Sequence, residues 1–169
     1  MLQKLRTDLT RKLRLIKLLI INADMFLTES SISYSRNPVP NNGYGVADLS
    51  MLGIKSEAFS TRKSEALSTI ITNRLEIASF HQGVSQKSVI YSTFKTENSV
   101  SDDEIALISG DLSDISILGR VSFPVAPADA PIEVKAKCYY VTYGIGEEAV
   151  REVAGLILKA RKHPNGLSG

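Results

Sequence analysis

Asp114-Ile115-Ser116-Ile117-Leu118-Gly119-Arg120-Val121-Ser122-Phe123-Pro124-Val125 alternates apolar and polar side chains along most of its length. Ile115, Ile117, Gly119, Val121, Phe123 and Val125 share one face, with Asp114, Ser116, Arg120 and Ser122 between them, the period of two of a half-buried strand. Pro124, Pro127 and Pro131 interrupt pairing, after which Ile132, Val134, Ala136, Cys138 and Tyr140 alternate with Glu133, Lys135, Lys137 and Tyr139. The two runs read as an antiparallel hairpin.

Downstream, the signals change to those of a helix. Glu147 and Glu148 place negative charge in a first turn, Lys159, Arg161, Lys162 and His163 place positive charge in a last one, and Pro164 stops it. Val150, Val153, Ala154, Ile157 and Leu158 form an apolar stripe at helical spacing that would pack on the sheet. Gly144-Ile145-Gly146-Glu147-Glu148-Ala149 matches a permissive dinucleotide-loop pattern. However, two glutamates would face the pyrophosphate and no strand follows, so it reads as a strand-to-helix corner.

Composition is that of one globular domain: 169 residues, 43% hydrophobic and 22% charged. The charge is unevenly spread. Lys4, Arg6, Arg11, Lys12, Arg14 and Lys17 oppose only Asp8 in the first seventeen residues, a surplus of five, so with +2 overall the remainder is net −3. One cysteine, Cys138, excludes an internal disulfide and favours the cytoplasm or another reducing compartment. No run of eighteen uncharged apolar residues predicts a membrane span.

Leu2, Leu5, Leu9, Leu13, Ile16 and Ile20 repeat at intervals of three and four, which predicts a basic amphipathic helix over residues 1–27. Such a helix packs on its own domain or on a second copy, or lies on an anionic membrane surface or acidic partner. A signal peptide is a further reading, but Asn22 and Asp24 cut its apolar region short. Residues 28–53, rich in Ser, Asn, Pro and Gly, read as a loop or linker, which would make the helix a movable arm. The core would then span residues 54–169.

Within that core, Lys55-Ser56-Glu57-Ala58-Phe59-Ser60-Thr61 recurs eight residues on as Lys63-Ser64-Glu65-Ala66-Leu67-Ser68-Thr69. A helix is expected over about 55–73, a strand over about 74–81 and another over 87–95, while Ser101-Asp102-Asp103-Glu104 opens a short helix. The sum is an α+β fold, a mainly antiparallel sheet of about four strands packed against helices.

No pattern for catalysis, cofactor binding or metal ligation stands out. Asp102, Asp103, Glu104, Asp111 and Asp114 form the acidic cluster, but their spacing is not that of a calcium loop. His81 and His163 are the near-neutral bases, and neither can be placed beside Cys138. The expectation is therefore a non-enzymatic, self-associating structural or assembly protein, needing no cofactor. Its partner-binding or membrane-binding residues would be Lys4, Arg6, Arg11, Lys12, Arg14 and Lys17, with a second candidate interface at Lys135, Lys137, Tyr139 and Tyr143. In outline, a basic arm before a small α+β core is similar to small viral matrix and coat proteins, which implies a place on a membrane or in a virion. The alternatives are a nucleic-acid-binding module, for which basic residues at both chain ends argue, and a small enzyme whose site is too scattered to read.

Overall fold

Leu18, Leu19, Ile20 and Ile21 are all buried, so the strand they form has protein on both faces, the signature of a strand inside a parallel sheet. The computed structural model describes residues 2–27 and 45–162, with side chains from residue 7 onward. Helix α1 (Leu2–Leu15) leads into strand β1 (Leu18–Asn22) and a 3-10 turn over Ala23–Leu27. Next come α2 (Val46–Met51), β2 (Lys55–Phe59) and α3 (Glu65–Ser68), which widens into a π-helical turn over Thr69–Arg74 before β3 (Ser79–His81). The rest alternates: α4 (Lys87–Asn98), β4 (Ile105–Ile108), α5 (Ile115–Leu118), β5 (Phe123–Ala126), α6 (Ile132–Lys135), β6 (Tyr140–Val141) and α7 (Glu147–Lys162).

All the pairings are parallel, and the six-stranded sheet has the order β3-β2-β1-β4-β5-β6. Alternate residues of β1 serve opposite layers. Leu19 and Ile21 join α1, α2, α3 and α7 in one core, while Leu18 and Ile20 join Tyr91 and Phe94 of α4, Ile117 and Leu118 of α5 and Val134 of α6 in the other. Val150, Val153, Ile157 and Leu158 of α7 are buried as their spacing implied, and together contribute about 6–12 kcal/mol before entropy is subtracted.

This architecture overturns the expected mainly antiparallel sheet of about four strands. Ile115–Leu118 closes a helical turn, with the Gly119 N–H donating to the Ile115 carbonyl at 3.0 Å. Ile132–Lys135 does the same, with Ala136 N–H to Ile132 O at 2.9 Å, so the hairpin is absent and only Phe123–Ala126 of the first run is strand. Residues 87–95 are α4 rather than strand, because Tyr91 and Phe94 lie three apart on one buried helical face. The helix expected over 55–73 begins instead with β2, whose Ala58 and Phe59 are wedged between β1 and β3.

Nor is α1 a free arm in this structure. Leu13 and Ile16 are fully buried, Arg14 donates to the Ala160 carbonyl at 3.0 Å, and Arg161 donates to the Ile16 carbonyl at 2.6 Å. Each arginine therefore satisfies a carbonyl at the other helix's carboxyl end, where the helix dipole favours positive charge. Residues 18–22, read with the helix from sequence, are the strand at the centre of the sheet. Of the expected linker, residues 28–44 lie outside the described residues, while Val46–Met51 is helical.

Candidate functional site

The chain runs from β1 outward to β2 and β3, then crosses back to build β4, β5 and β6 on the other side. In open parallel sheets the crevice outside the carboxyl ends of the strands at such a reversal is where ligands bind. Here β1 delivers Asn22 and, two residues on, Asp24; β2 delivers Ser60 and Thr61; β4 delivers Ser109, Gly110 and Asp111. A cleft of about 430 Å³ opens at this edge, walled by Asp24, Met25, Gly110, Asp111, Asp129 and Pro131 among others. That volume suits a small ligand.

Asn22 is the buried pivot. Its Oδ1 accepts the Asp24 N–H at 2.9 Å, which fixes the amide so that Nδ2 donates to Asp114 Oδ2 at 2.6 Å. Ser109 Oγ donates to the same carboxylate oxygen at 2.6 Å. Lys87, at the start of α4, reaches across to Asp114 Oδ1 at 2.7 Å and to Asp111 Oδ2 at 3.0 Å, and also contacts Ser113 Oγ. Burial alone would lower the Lys87 pKa, but the Asp114 and Asp111 carboxylates outweigh it and leave the ammonium's pKa raised. For Asp111 burial pushes the other way, yet the Ser113 N–H and Lys87 hold its carboxyl below the usual range. Asp24 is held from β2: Ser60 Oγ donates to Oδ1 at 2.6 Å, and Thr61 donates to Oδ2 from Oγ1 at 2.6 Å and from its N–H at 3.2 Å.

The acidic cluster seen in sequence is thus divided by β4. Asp102, Asp103 and Glu104 precede it at the amino edge, where Asp102 pairs with Lys95 at 2.8 Å, while Asp111 and Asp114 follow it at the cleft. The residues expected to meet a partner lie elsewhere. Lys4 and Arg6 are in α1 beyond the described side chains. Arg11 pairs with Asp8 at 2.5 Å, Lys12 sits 5.1 Å from the Tyr139 ring centre, Arg14 holds Ala160, and Lys17 pairs with Glu104 at 2.6 Å. Lys135 ends α6 and Lys137 follows it, while Tyr139 donates to Asp8 at 2.6 Å and Tyr143 stands 92% exposed. Among the described side chains, none of these walls the cleft.

Two of the candidate bases and nucleophiles are also accounted for. His81 lies at the end of β3, 3.8 Å from Glu57, and burial lifts the Cys138 thiol to about 11. His163 falls outside the described residues. The glycine corner is structural: a Cβ at Gly144 would come within 2.7 Å of Glu148 Cβ. What sequence reading missed is the placement of Asn22, Asp24, Ser60, Lys87 and Ser109. The available signal was a pair of short unbroken apolar runs, Leu18–Ile21 and Ile105–Ile108, each followed within three residues by an aspartate.

No family model matches the chain. The 3-deoxy-D-manno-octulosonate 8-phosphate phosphatase KdsC of Haemophilus influenzae, however, is 30% identical over 159 residues, which cover 89% of this chain and 87% of that protein. The chain belongs to the KdsC phosphatase family. Solved structures agree. The phosphatase of the same description from Yersinia pestis superposes with a TM-score of 0.77 at 29% identity, covering 92% of this chain and 87% of that one. That from Moraxella catarrhalis, a complex with magnesium, phosphate and the sugar acid KDO, does so with a TM-score of 0.73 at 25% identity, covering 91% and 92%. KdsC relatives are enzymes, so membership overturns the expectation of a non-enzymatic, matrix- or coat-like assembly protein. Nothing in the comparisons supports a virion or membrane setting, and among the described residues no helix is long and apolar enough to cross a membrane.

Magnesium in one KdsC structure invites a test of whether this donor set fits a metal. A magnesium ion takes oxygen ligands, one or two of them carboxylates, and keeps several waters. The carboxylates at this edge are Asp24, Asp111, Asp114 and, across the cleft, Asp129, and every oxygen of the first three already receives a hydroxyl, an N–H or the Lys87 ammonium. The tip of β1 offers an amide, Asn22, and the second residue after β4 is Gly110, with no side chain. Among the described residues no group of three or more His, Cys, Asp or Glu is placed to hold a metal. This donor set does not fit a divalent cation.

Proposed function

We propose that this chain binds a small phosphorylated sugar acid, of the kind its relatives are named for, in the cleft outside β1 and β4, and hydrolyses its phosphate ester. The reading is carried by one coincidence: identity of 30% across 89% of the chain meets a ligand-sized cleft at the reversal of the sheet. Hydrolysis moves a water oxygen onto phosphorus, breaks the bond from phosphorus to the sugar oxygen, and returns the water's proton to the departing alkoxide. Lys87, paired to Asp111 of the cleft wall, is the nearby cation, and Asp24 on that wall is the carboxylate that would relay the proton. The wall carboxylates Asp24 and Asp111 are each held by hydroxyl or N–H donors, which weaken them as nucleophiles, so in this reading water attacks phosphorus directly. With a single cysteine, a reducing, cytoplasmic setting accords with this reading.

Calorimetry with 3-deoxy-D-manno-octulosonate 8-phosphate, alongside a colorimetric assay for released phosphate, tests both halves. Saturable binding is expected, with slow release that falls at least tenfold in Asp24→Asn, since positioned acid–base groups contribute about 10²–10⁴-fold. Absence of both binding and release would refute the reading.

A further inference from the structure

We infer that the resident cation of this site is the chain's own Lys87 ammonium and that no divalent metal binds at the carboxyl edge of the sheet. The inference deepens the phosphate-ester reading and rests on it only for the ligand that the cation faces. Three observations carry it, and all concern side chains of this chain.

The first is a charge already in place. Lys87 Nζ lies 2.7 Å from one oxygen of Asp114 and 3.0 Å from one of Asp111, with its side chain 13% exposed. Asp114 itself is fully buried. A dication bound to Asp114 would have to displace the ammonium from a buried carboxylate, and one bound to the free side of Asp111 would sit beside the ammonium's own positive charge. The second is the chemistry of the strand tips. Asn22 is oriented by the Asp24 N–H so that its amide N–H₂ group, which cannot ligate a cation, is the end aimed at Asp114. The third is Gly110. It borders the cleft with ordinary backbone geometry, and an added Cβ would meet Pro127 Cγ at 3.4 Å and Ala130 Cβ at 3.6 Å, so a side chain would fit where none is present. The edge therefore has no side chain at one position where its geometry would accept one, and an amide in place of a carboxylate at the tip of β1.

The consequence is a cleft edge whose cation is fixed to the chain and cannot be exchanged. Phosphate binding and any turnover should be indifferent to chelators, and should fall as Lys87 loses its proton at high pH rather than as a metal is stripped.

Titration of the full-length protein with magnesium chloride, and separately with manganese chloride followed by electron paramagnetic resonance, tests this without reference to activity. Neither ion should show saturable binding at millimolar concentration. Asn22→Asp, Gly110→Asp and the double substitution should each bind manganese at least tenfold more tightly than the parent, the double most of all. Saturable magnesium binding by the parent chain, weakened by Asp24→Asn or Asp111→Asn, would overturn the inference, as would failure of all three folded variants to gain affinity. The single substitutions keep the test open if the double variant does not fold. Inorganic phosphate, titrated into parent protein in the presence of a chelator, separates this inference from the function it deepens. Unchanged phosphate affinity on adding magnesium supports the fixed cation, whereas metal-dependent phosphate affinity overturns it while leaving the phosphate-ester reading intact.

Discussion

Replacing Lys87 by methionine keeps the apolar stem of the side chain and removes only its charged terminal group. In the native protein the ammonium bridges Asp114, which is fully buried, and Asp111, which is part-exposed. The loss on the Asp111 side is screened by water, so most of the effect comes from stranding the Asp114 carboxylate. Removing one partner of a buried ion pair costs about 3–5 kcal/mol. Asn22 and Ser109 still donate to the other Asp114 oxygen, which places the expectation at the lower end, about 3 kcal/mol. For a chain of this size each kcal/mol moves the melting temperature by about 2–4 °C, so Lys87→Met should melt about 6–12 °C below the parent. Urea denaturation of the parent, Lys87→Met, Asp114→Asn and the double variant closes a thermodynamic cycle. Asp114→Asn should recover much of the loss in the Lys87→Met background, because no stranded charge remains. A destabilisation under about 1 kcal/mol, the range of a solvated surface pair, together with no coupling in the cycle, would refute the argument.

Three further outcomes follow from the same structure. Gly144→Ala pushes a methyl to 2.7 Å from Glu148 Cβ, against a helix that cannot move freely, and should cost about 1–3 kcal/mol by denaturant titration. Cys138, with its thiol lifted to about 11 by burial, should react with a maleimide or disulfide reagent far more slowly at pH 8 than a free thiol does, and speed up on unfolding. Stability should fall at both extremes of pH. Asp111, held below its ordinary range, contributes stability that is present above the unfolded value of 3.8 and lost as pH falls through the lower folded value. Lys87, raised above 10.5, contributes stability that is complete below that value and lost as pH rises through the folded one. Melting temperatures from pH 2 to 12 should therefore show a plateau between, and Lys87→Met should flatten the alkaline limb.

Legibility in the sequence followed the length and the environment of each element. Helix α7 could be read because sixteen residues give its apolar stripe, its charged ends and its glycine corner room to agree. The strands could not be read in the same way. A strand inside a parallel sheet carries apolar residues on both faces, so Leu18–Ile21 and Ile105–Ile108 show no alternation, and four or five residues are too few to separate strand from helix. Alternation over 115–125 pointed to a strand, yet Ile117 and Leu118 are both buried by a single helical turn. The repeated Lys-Ser-Glu-Ala is the plainest case: at 55–58 it lies in β2, and at 63–66 it leads into α3. Local propensity is identical in the two copies, so tertiary surroundings alone decide between them. The site was obscured for a related reason. Asn22, Ser60, Lys87 and Asp114 are separated by tens of residues and become neighbours only when the sheet forms, and no pair of them has a diagnostic spacing.

The position of β1 in the middle of the sheet also sets the order in which the chain can be assembled. β1 is one of the sheet's two central strands, and the other, its neighbour Ile105–Ile108, arrives some eighty residues later. At 5–20 residues per second on a ribosome, that interval is on the order of 4–17 s. Throughout it, an unbroken run of four large aliphatic residues near the amino terminus lacks one of the partners that will cover it. The basic helix ahead of that run also waits for α7, since the two arginines that fasten them together lie 147 residues apart in numbering, at 14 and 161. A buried strand laid down long before one of its neighbours, and a helix whose clasp is made later still, favour chaperone contact during the interval.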